Sequence, residues 1–98
     1  MATHGEAREN TIRALRTLTP FNRNGFNMTG IEGKVDVMGR LNPEHIARYN
    51  ADDVIYTVKS YATPIAWVTR GGLVRVPEQS YSNTTTHHQS LCRVYLNQ

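Results

Sequence analysis

The chain has 98 residues, a formal net charge of +3 and one cysteine. This length is typical of one small domain, and a single cysteine excludes an intrachain disulfide. No apolar run is long enough for a transmembrane helix, and the polar N-terminus lacks the apolar centre of a signal peptide. We therefore expect one intracellular domain over residues 1–98, divided into 1–27, 28–53 and 54–98, with no membrane association.

The first predicted element is an N-terminal helix. Thr3 and Glu6 have the T-x-x-E spacing of a capping box, and apolar residues then recur at helical spacing. Pro20 disfavours a helical residue before it, so the helix should end near that point. The stretch PFNRNGFNMTG, residues 20–30, is rich in Asn and Gly and predicts a loop.

Residues 28–53 predict an irregular segment followed by a short helix. Ile31 and Val35 favour a short strand, but the neighbouring glycines weaken it. Asn42 is a good N-cap, and Pro43 suits the first helical position, so a helix of about two turns should begin there. The acidic pair that follows, Asp52 and Asp53, is interpreted as the solvated end of the link to the next strand.

Three strands are predicted after this helix. The Gly71-Gly72 pair is typical of a two-residue hairpin turn, and the sequence YATP is interpreted as a four-residue loop. The two turns together place Trp67 on a continuous apolar face. The strands should run at about 54–60, 64–69 and 73–77.

The exposed face of this sheet should carry Lys59, Arg70 and Arg75. Helices from the two ends of the chain should cover the opposite, apolar face. The predicted fold class is therefore α+β, a small three-stranded antiparallel meander packed on one face by the N-terminal and C-terminal helices.

The stretch YSNTTTHHQSLC, residues 81–92, combines hydroxyl groups, two histidines and the only cysteine. Thr86 and Gln89 have the T-x-x-Q spacing of a capping box, so a C-terminal helix should start at about Thr86. Adjacent helix positions point about 100° apart, so His87 and His88 cannot easily chelate one metal. With Cys92 added, the site still lacks ligands, and we predict no metal, no cofactor and no catalytic residues.

The histidines therefore have two interpretations. They serve in capping and packing, or they belong to a polar patch at the helix N-terminus. Such a patch favours an anion such as phosphate, because free N–H groups and the helix dipole point toward it. Thr84 and Thr85 would add donors to the patch, and Cys92 is expected to be buried and unreactive.

Two motifs resemble a known family. The segments YTVKSYATPIAWV and YSNTTTHHQS, within residues 56–90, follow the pattern SYxTPIAW and then YSxTTxxHQ. This pattern is similar to that of a small uncharacterised domain of mycobacteriophages and other actinobacterial phages. GRLNPEHIARYNADD, residues 39–53, resembles the acidic helix before the strands in that family. The resemblance implies a phage accessory protein in the cytoplasm of the infected bacterial host, and it implies no activity.

The expected function is that of a non-enzymatic binding module that engages a host protein or associates with itself. The alternative is a basic nucleic-acid (DNA) binding protein whose contact surface is the exposed sheet face. Salt dependence separates the two, because phosphate-driven binding weakens steeply as salt rises. The candidate binding residues are Lys59, Arg70 and Arg75 on the sheet and Tyr61, Ser82, Thr84, Thr85, His87 and His88 at strand and helix ends.

Overall fold

A computed structural model describes the backbone of residues 4–23 and 27–98, and the side chains of 8–23 and 27–98. The described part is α+β, as predicted. Within these residues, five strands form one antiparallel sheet in the order β1-β2-β3-β4-β5. None of the described helices is long and apolar enough to cross a membrane. The elements are α1 (His4–Thr17), β1 (Phe21–Arg23), β2 (Met28–Glu32), α2 (Pro43–Ala51), β3 (Val54–Ser60), β4 (Thr63–Thr69), β5 (Val74–Arg75) and α3 (Asn83–Tyr95).

The prediction of three strands is wrong, because β1 and β2 come from segments interpreted as loop and irregular structure. Gly30, which argued against a strand, is required by it. A Cβ at this position would overlap the hydroxyl of Tyr56 and the ring of Phe21. The glycine therefore leaves room for two aromatic side chains to lie across the sheet.

The sheet is covered on both faces, and the prediction of one covered face is also wrong. One cluster of buried side chains includes Leu15 of α1, Val58 of β3 and Leu91 of α3. A second cluster packs Tyr49 of α2 against Trp67 of β4, with the two rings edge to face at 4.9 Å between centroids. The predicted burial of Trp67 is confirmed, since its exposed fraction is 0%.

The turn between β4 and β5 is one residue longer than predicted, and this reverses the face of β5. The N–H of Thr69 donates to the carbonyl of Leu73 at 2.9 Å, so residues 70–72 form the turn, with Gly72 at φ +89°. Trp67 therefore lies opposite Arg75, rather than Val76. A one-residue slip moves every side chain of a strand to the other face, which explains why Arg75 is partly buried, where the prediction had it exposed.

The turn between β3 and β4 is shorter than predicted. Ser60 pairs directly with Thr63, so only Tyr61 and Ala62 lie between the strands. Such a tight turn requires a left-handed backbone conformation, and Tyr61 supplies it with φ 56°. The strand β4 begins one residue before Pro64.

The helix boundaries agree with the sequence at α1 and α2 but differ at α3. The helix α1 ends at Thr17, shortly before Pro20, while the predicted capping by Thr3 and Glu6 lies outside the described side chains. Asn42 is the N-cap residue of α2, although its side chain makes no capping hydrogen bond.

The helix α3 begins at Asn83, not at Thr86. Its N-cap is Ser82, whose side chain accepts from the N–H of Thr85. Thr86 lies inside the helix, with its N–H bonded to the carbonyl of Ser82 at 2.9 Å. Gln89 does not cap either, because it is buried and donates to the carbonyls of the connecting segment at positions 77 and 79.

Candidate functional site

A cavity of about 520 Å³ lies where the β3–β4 turn meets the start of α3. Most of its lining side chains carry a hydroxyl group, and we call it the hydroxyl cavity. The two motifs that resemble the phage family, SYxTPIAW and YSxTTxxHQ, meet here. The cavity is lined by residues 39–40, 60–63, 81–82 and Thr85.

The wall formed by Gly39 and Arg40 is held rigidly in place. Gly39 has φ +52°, and a Cβ there would lie 2.8 Å from the carbonyl carbon and oxygen of Ala62. The N–H of Arg40 donates to the hydroxyl oxygen of Thr63 at 2.9 Å, and its carbonyl accepts from the Gln79 amide at 2.7 Å. The backbone of this wall is therefore held by two side chains, those of Thr63 and Gln79, and by its close approach to Ala62.

Tyr61 stands at the rim of the cavity in a strained backbone conformation. A left-handed conformation costs a residue other than glycine about 1 kcal/mol, and the N–H of Tyr61 is held by the carbonyl of Asn27 at 2.7 Å. The side chain is nevertheless 55% exposed. A strained, exposed aromatic residue beside a cavity is typical of a recognition surface.

A buried network of polar side chains connects the cavity to the core. The Ser60 hydroxyl lies 2.8 Å from Nδ1 of His88 and 2.9 Å from the Thr85 hydroxyl. The Ser82 hydroxyl donates to Thr85 Oγ1 at 3.3 Å. His88 is fully buried, and its Nε2 atom has no hydrogen-bond partner in the described structure.

Burial lowers the pKa of His88 to about 4, with smaller contributions from His87 and Arg23. The imidazole is therefore neutral near pH 7 and carries one proton. His87, in contrast, is exposed, and the two rings are 6.5 Å apart and tilted by 52°. The adjacent histidines thus occupy different environments, and only His88 is part of the network.

The Ser60–His88 contact differs from a nucleophile–base pair. The histidine of such a pair is oriented by a third group on its other nitrogen, and Nε2 of His88 has no such partner in the described structure. Cys92 is buried, and burial raises the pKa of its thiol to about 12, which disfavours the nucleophilic thiolate. Among the described side chains, those of residues 8–23 and 27–98, no three His, Cys, Asp or Glu are grouped so as to hold a metal.

A second polar cluster lies at the other end of β4 and contains the predicted basic residues. Arg75 donates to Asp52 at 2.6 Å and 3.3 Å, and the Trp67 indole N–H donates to the same carboxylate at 2.8 Å. We call Asp52, Trp67 and Arg75 the carboxylate cluster. The Asp52 side chain is only 10% exposed, so the interpretation of Asp52 as a solvated residue is wrong.

The charges around the carboxylate cluster neutralise one another. Burial alone would raise the pKa of Asp52, but the hydrogen bonds from Arg75 and Trp67 and the charges of Arg75 and Arg48 outweigh it and lower the pKa. Arg70 forms an exposed ion pair with Asp53 at 2.7 Å. Lys59 lies near the opposite end of β3, paired with Pro64. The three predicted basic residues therefore do not form one open surface.

The structure brings together part of the predicted binding set. Tyr61, Ser82 and Thr85 line the hydroxyl cavity, and His88 lies behind it. Thr84 and His87 are exposed on the first turns of α3, outside the cavity wall. Sequence reasoning did not select the remaining wall residues, although most of them lie in or beside the quoted motifs. They are Gly39, Arg40, Ser60, Ala62, Thr63 and Tyr81.

The fold and site define a small α+β protein whose antiparallel sheet carries a preformed hydroxyl cavity at one end. The chain belongs to a family of unknown function, DUF8033, whose sequence profile matches residues 6–93. No curated protein matches the chain, and no solved structure matches it.

Proposed function

We propose that this protein is a non-enzymatic binding module that engages another protein through the hydroxyl cavity and Tyr61. The observation that carries the proposal is the exposed, strained aromatic side chain at the rim of a rigid cavity. Tyrosine supplies a large contact area and a polar end at low cost in side-chain entropy, which suits a protein interface. The partner would contact Tyr61 and insert a group into the cavity.

The proposal of a non-enzymatic role is supported by the burial and the hydrogen bonds of Ser60. The Ser60 hydroxyl is 1% exposed and already has two polar neighbours, Thr85 and His88. A nucleophile must be free to approach a substrate and must be activated by an oriented base. These groups are better suited to shaping a binding surface than to attacking a substrate.

The nucleic-acid alternative receives less support. It required an open basic face, and Arg70 and Arg75 are each bound to a carboxylate. Thr57, two residues before Lys59 on the face expected to be open, is instead covered by Tyr49 of α2, whose hydroxyl lies 2.7 Å from that of Thr57. Contacts to phosphates would have to compete with these existing ion pairs.

The motif resemblance supports a biological setting for this module. It favours a phage accessory protein that acts in the cytoplasm of the infected bacterial host. The partner would then be a host protein, with self-association as the second possibility.

The test compares two variants that remove an exposed apolar side chain from different places. Tyr61→Asn keeps a residue that tolerates the left-handed conformation, and Leu73→Asn changes a residue that is 57% exposed and follows the β4–β5 turn directly. Each variant and the wild type would be used to capture partners from host lysate, with and without nuclease treatment. We expect a defined protein to be retained by the wild type and by Leu73→Asn, but not by Tyr61→Asn.

Equal retention by all three proteins would contradict the proposal, as would retention that disappears with nuclease treatment. Self-association would be measured separately by sedimentation of the purified wild type over a range of concentrations. A dimer that dissociates in Tyr61→Asn but not in Leu73→Asn would identify the partner as a second copy of the chain.

A further inference from the structure

We infer that the hydroxyl cavity binds an anionic oxygen group, a carboxylate or a phosphate. The identity of its carrier as a protein partner rests on the proposed function, but the anion site itself can be tested without any partner. Three features of the described cavity wall carry the inference: its charge, the direction of its hydroxyl groups and its size.

The charge of the cavity wall is positive. Arg40 is the only charged side chain among the described residues that line the cavity, and no carboxylate lines it. The cavity also adjoins the start of α3, a 13-residue helix with no acidic residue in its first turn. The partial positive charge of a helix N-terminus is often balanced by such a residue. Here both the guanidinium and the helix favour an anion from outside.

The direction of the hydroxyl groups follows from the tautomer of His88. With the proton on Nε2, a buried N–H would have no acceptor, whereas a proton on Nδ1 leaves only an unpaired acceptor at Nε2. Unpaired buried donors are rarer than unpaired acceptors, so the Nδ1 tautomer is favoured. His88 then donates to Ser60 Oγ, and the proton of Ser60 is directed to Thr85 Oγ1.

This arrangement leaves Thr85 as a donor toward the cavity. Its Oγ1 atom already accepts from Ser82 at 3.3 Å and, when the proton of His88 is on Nδ1, also from Ser60. Its own proton has no acceptor within the described residues, although Thr85 is only 4% exposed and lines the cavity. A buried donor of this kind is stabilised by an acceptor on a ligand, and an anionic oxygen is the strongest one.

The size of the cavity indicates that the anionic group is part of a larger ligand. A water molecule occupies about 30 Å³ of liquid, so a single phosphate or carboxylate fills only a fraction of 520 Å³. The rest of the volume would hold the side chain that carries the anion. This agrees with a partner that contacts Tyr61 at the rim.

The experiment is a titration of the ¹⁵N-labelled full chain, followed by amide chemical shifts. Sodium phosphate and sodium acetate are added separately at pH 7, with sodium chloride holding the ionic strength constant. We expect saturable shifts at the amides of Arg40 and residues 82–85. Arg40→Gln should weaken binding about tenfold, the effect of losing one charge-assisted hydrogen bond. Arg13→Gln, which removes an exposed charge from α1, should leave binding unchanged.

A second pair of variants tests the donor. Thr85→Val removes the hydroxyl at nearly constant shape and should weaken binding, whereas Thr85→Ser keeps the hydroxyl and should preserve it. Circular dichroism would verify that each variant is folded. If Thr85→Val does not fold, the comparison of Arg40→Gln with Arg13→Gln still tests anion binding. Saturation by phosphate alone indicates a phosphorylated partner, and saturation by acetate as well indicates an acidic side chain.

The inference is overturned if neither anion gives saturable shifts at the cavity, or if Arg40→Gln and Arg13→Gln weaken binding equally. Such a result leaves the proposed function standing, because the capture experiment on Tyr61 does not depend on an anion. Conversely, if the cavity binds an anion but Tyr61→Asn has no effect on capture, the anion site is supported and the proposed protein-binding function is rejected.

Discussion

The two ends of β4 carry polar clusters of opposite character. Near the last residues of β4, the carboxylate cluster pairs Arg75 with Asp52 and adds the indole N–H of Trp67, and the neighbouring Arg70 is paired with Asp53. Before its first residue, the hydroxyl cavity holds neutral hydroxyl groups and one guanidinium with no carboxylate in the wall. The charged groups at one end therefore neutralise one another, whereas in our proposal the hydroxyl cavity at the other end keeps hydrogen-bonding capacity for a ligand.

The largest expected effect is at the charged end. Asp52→Ala leaves Arg75 and the Trp67 N–H partly buried without their acceptor, and it should lower the free energy of unfolding by about 3 kcal/mol. Asp53→Ala breaks only an exposed pair and should cost well under about 1 kcal/mol. Urea denaturation of both variants measures the difference. Equal losses would mean that the carboxylate cluster is not a structural element.

Acid should weaken the two ends in different pH ranges. The folded-state pKa of His88 is about 4, below the ordinary value of about 6.5, so the unfolded chain binds more protons between these values. Stability is complete above about pH 6.5, falls as the pH drops, and should be about 2 kcal/mol lower at pH 5. The pKa of Asp52 is lowered, so its contribution is lost only at more acidic pH, below its ordinary value of about 4.

Urea denaturation between pH 7 and pH 4.5 distinguishes the contributions of His87 and His88 to the pH dependence of stability. His88→Gln should remove most of the slope of stability with pH, whereas His87→Gln should leave it intact. The same slope in wild type and His88→Gln would refute the assignment of His88 as the titrating group.

The rigidity of the cavity wall is tested by a pair of glycine substitutions. Gly33 and Gly39 both have positive φ, but a Cβ on Gly33 meets nothing within 4 Å, while one on Gly39 collides with Ala62 and Thr63. Gly39→Ala should therefore cost about 1 kcal/mol more than Gly33→Ala. Thermal unfolding provides the comparison, and equal costs would show that the wall yields without strain.

The smallest expected effect concerns the start of α3. Ser82→Ala removes the N-cap and should cost about 0.5–1 kcal/mol, whereas Thr86→Ala changes an exposed helical residue and should alter stability by no more than a few tenths of a kcal/mol. The denaturation midpoints of the two variants show which of the two residues caps α3. A larger cost at Thr86 would restore the capping box that the sequence suggested.

Local patterns predicted the elements of the fold but not all of their pairings. The helix at Pro43, the strand at Val54–Ser60 and the burial of Trp67 follow from capping residues and alternation. Strand β2 was missed because glycine disfavours strands. Gly30 is needed there because the side chains of Tyr56 and Phe21, from neighbouring strands, pack against it. The register of β5 depends on whether the turn before it has two residues or three. The Gly71-Gly72 pair alone does not determine that length.

The candidate site was predicted in part for a similar reason. Tyr61, Ser82 and Thr85 stood out as polar or aromatic residues without an evident structural role, and they lie in the cavity wall. Arg40 could not be selected, because its position depends on hydrogen bonds to Thr63 and Gln79, which are distant in sequence. Arg75 was misassigned because a one-residue register change turns it toward Asp52.

The contrast between the hydroxyl cavity and the carboxylate cluster is tested most directly by hydrogen–deuterium exchange of the full chain with and without its captured partner. We expect the partner to slow exchange at the amides of residues 61–63 and 82–85, around the hydroxyl cavity. Exchange at residues 70–75, beside the carboxylate cluster, should be unchanged. Protection at residues 70–75 with none around the hydroxyl cavity would show that the partner binds at the carboxylate cluster and not at the cavity.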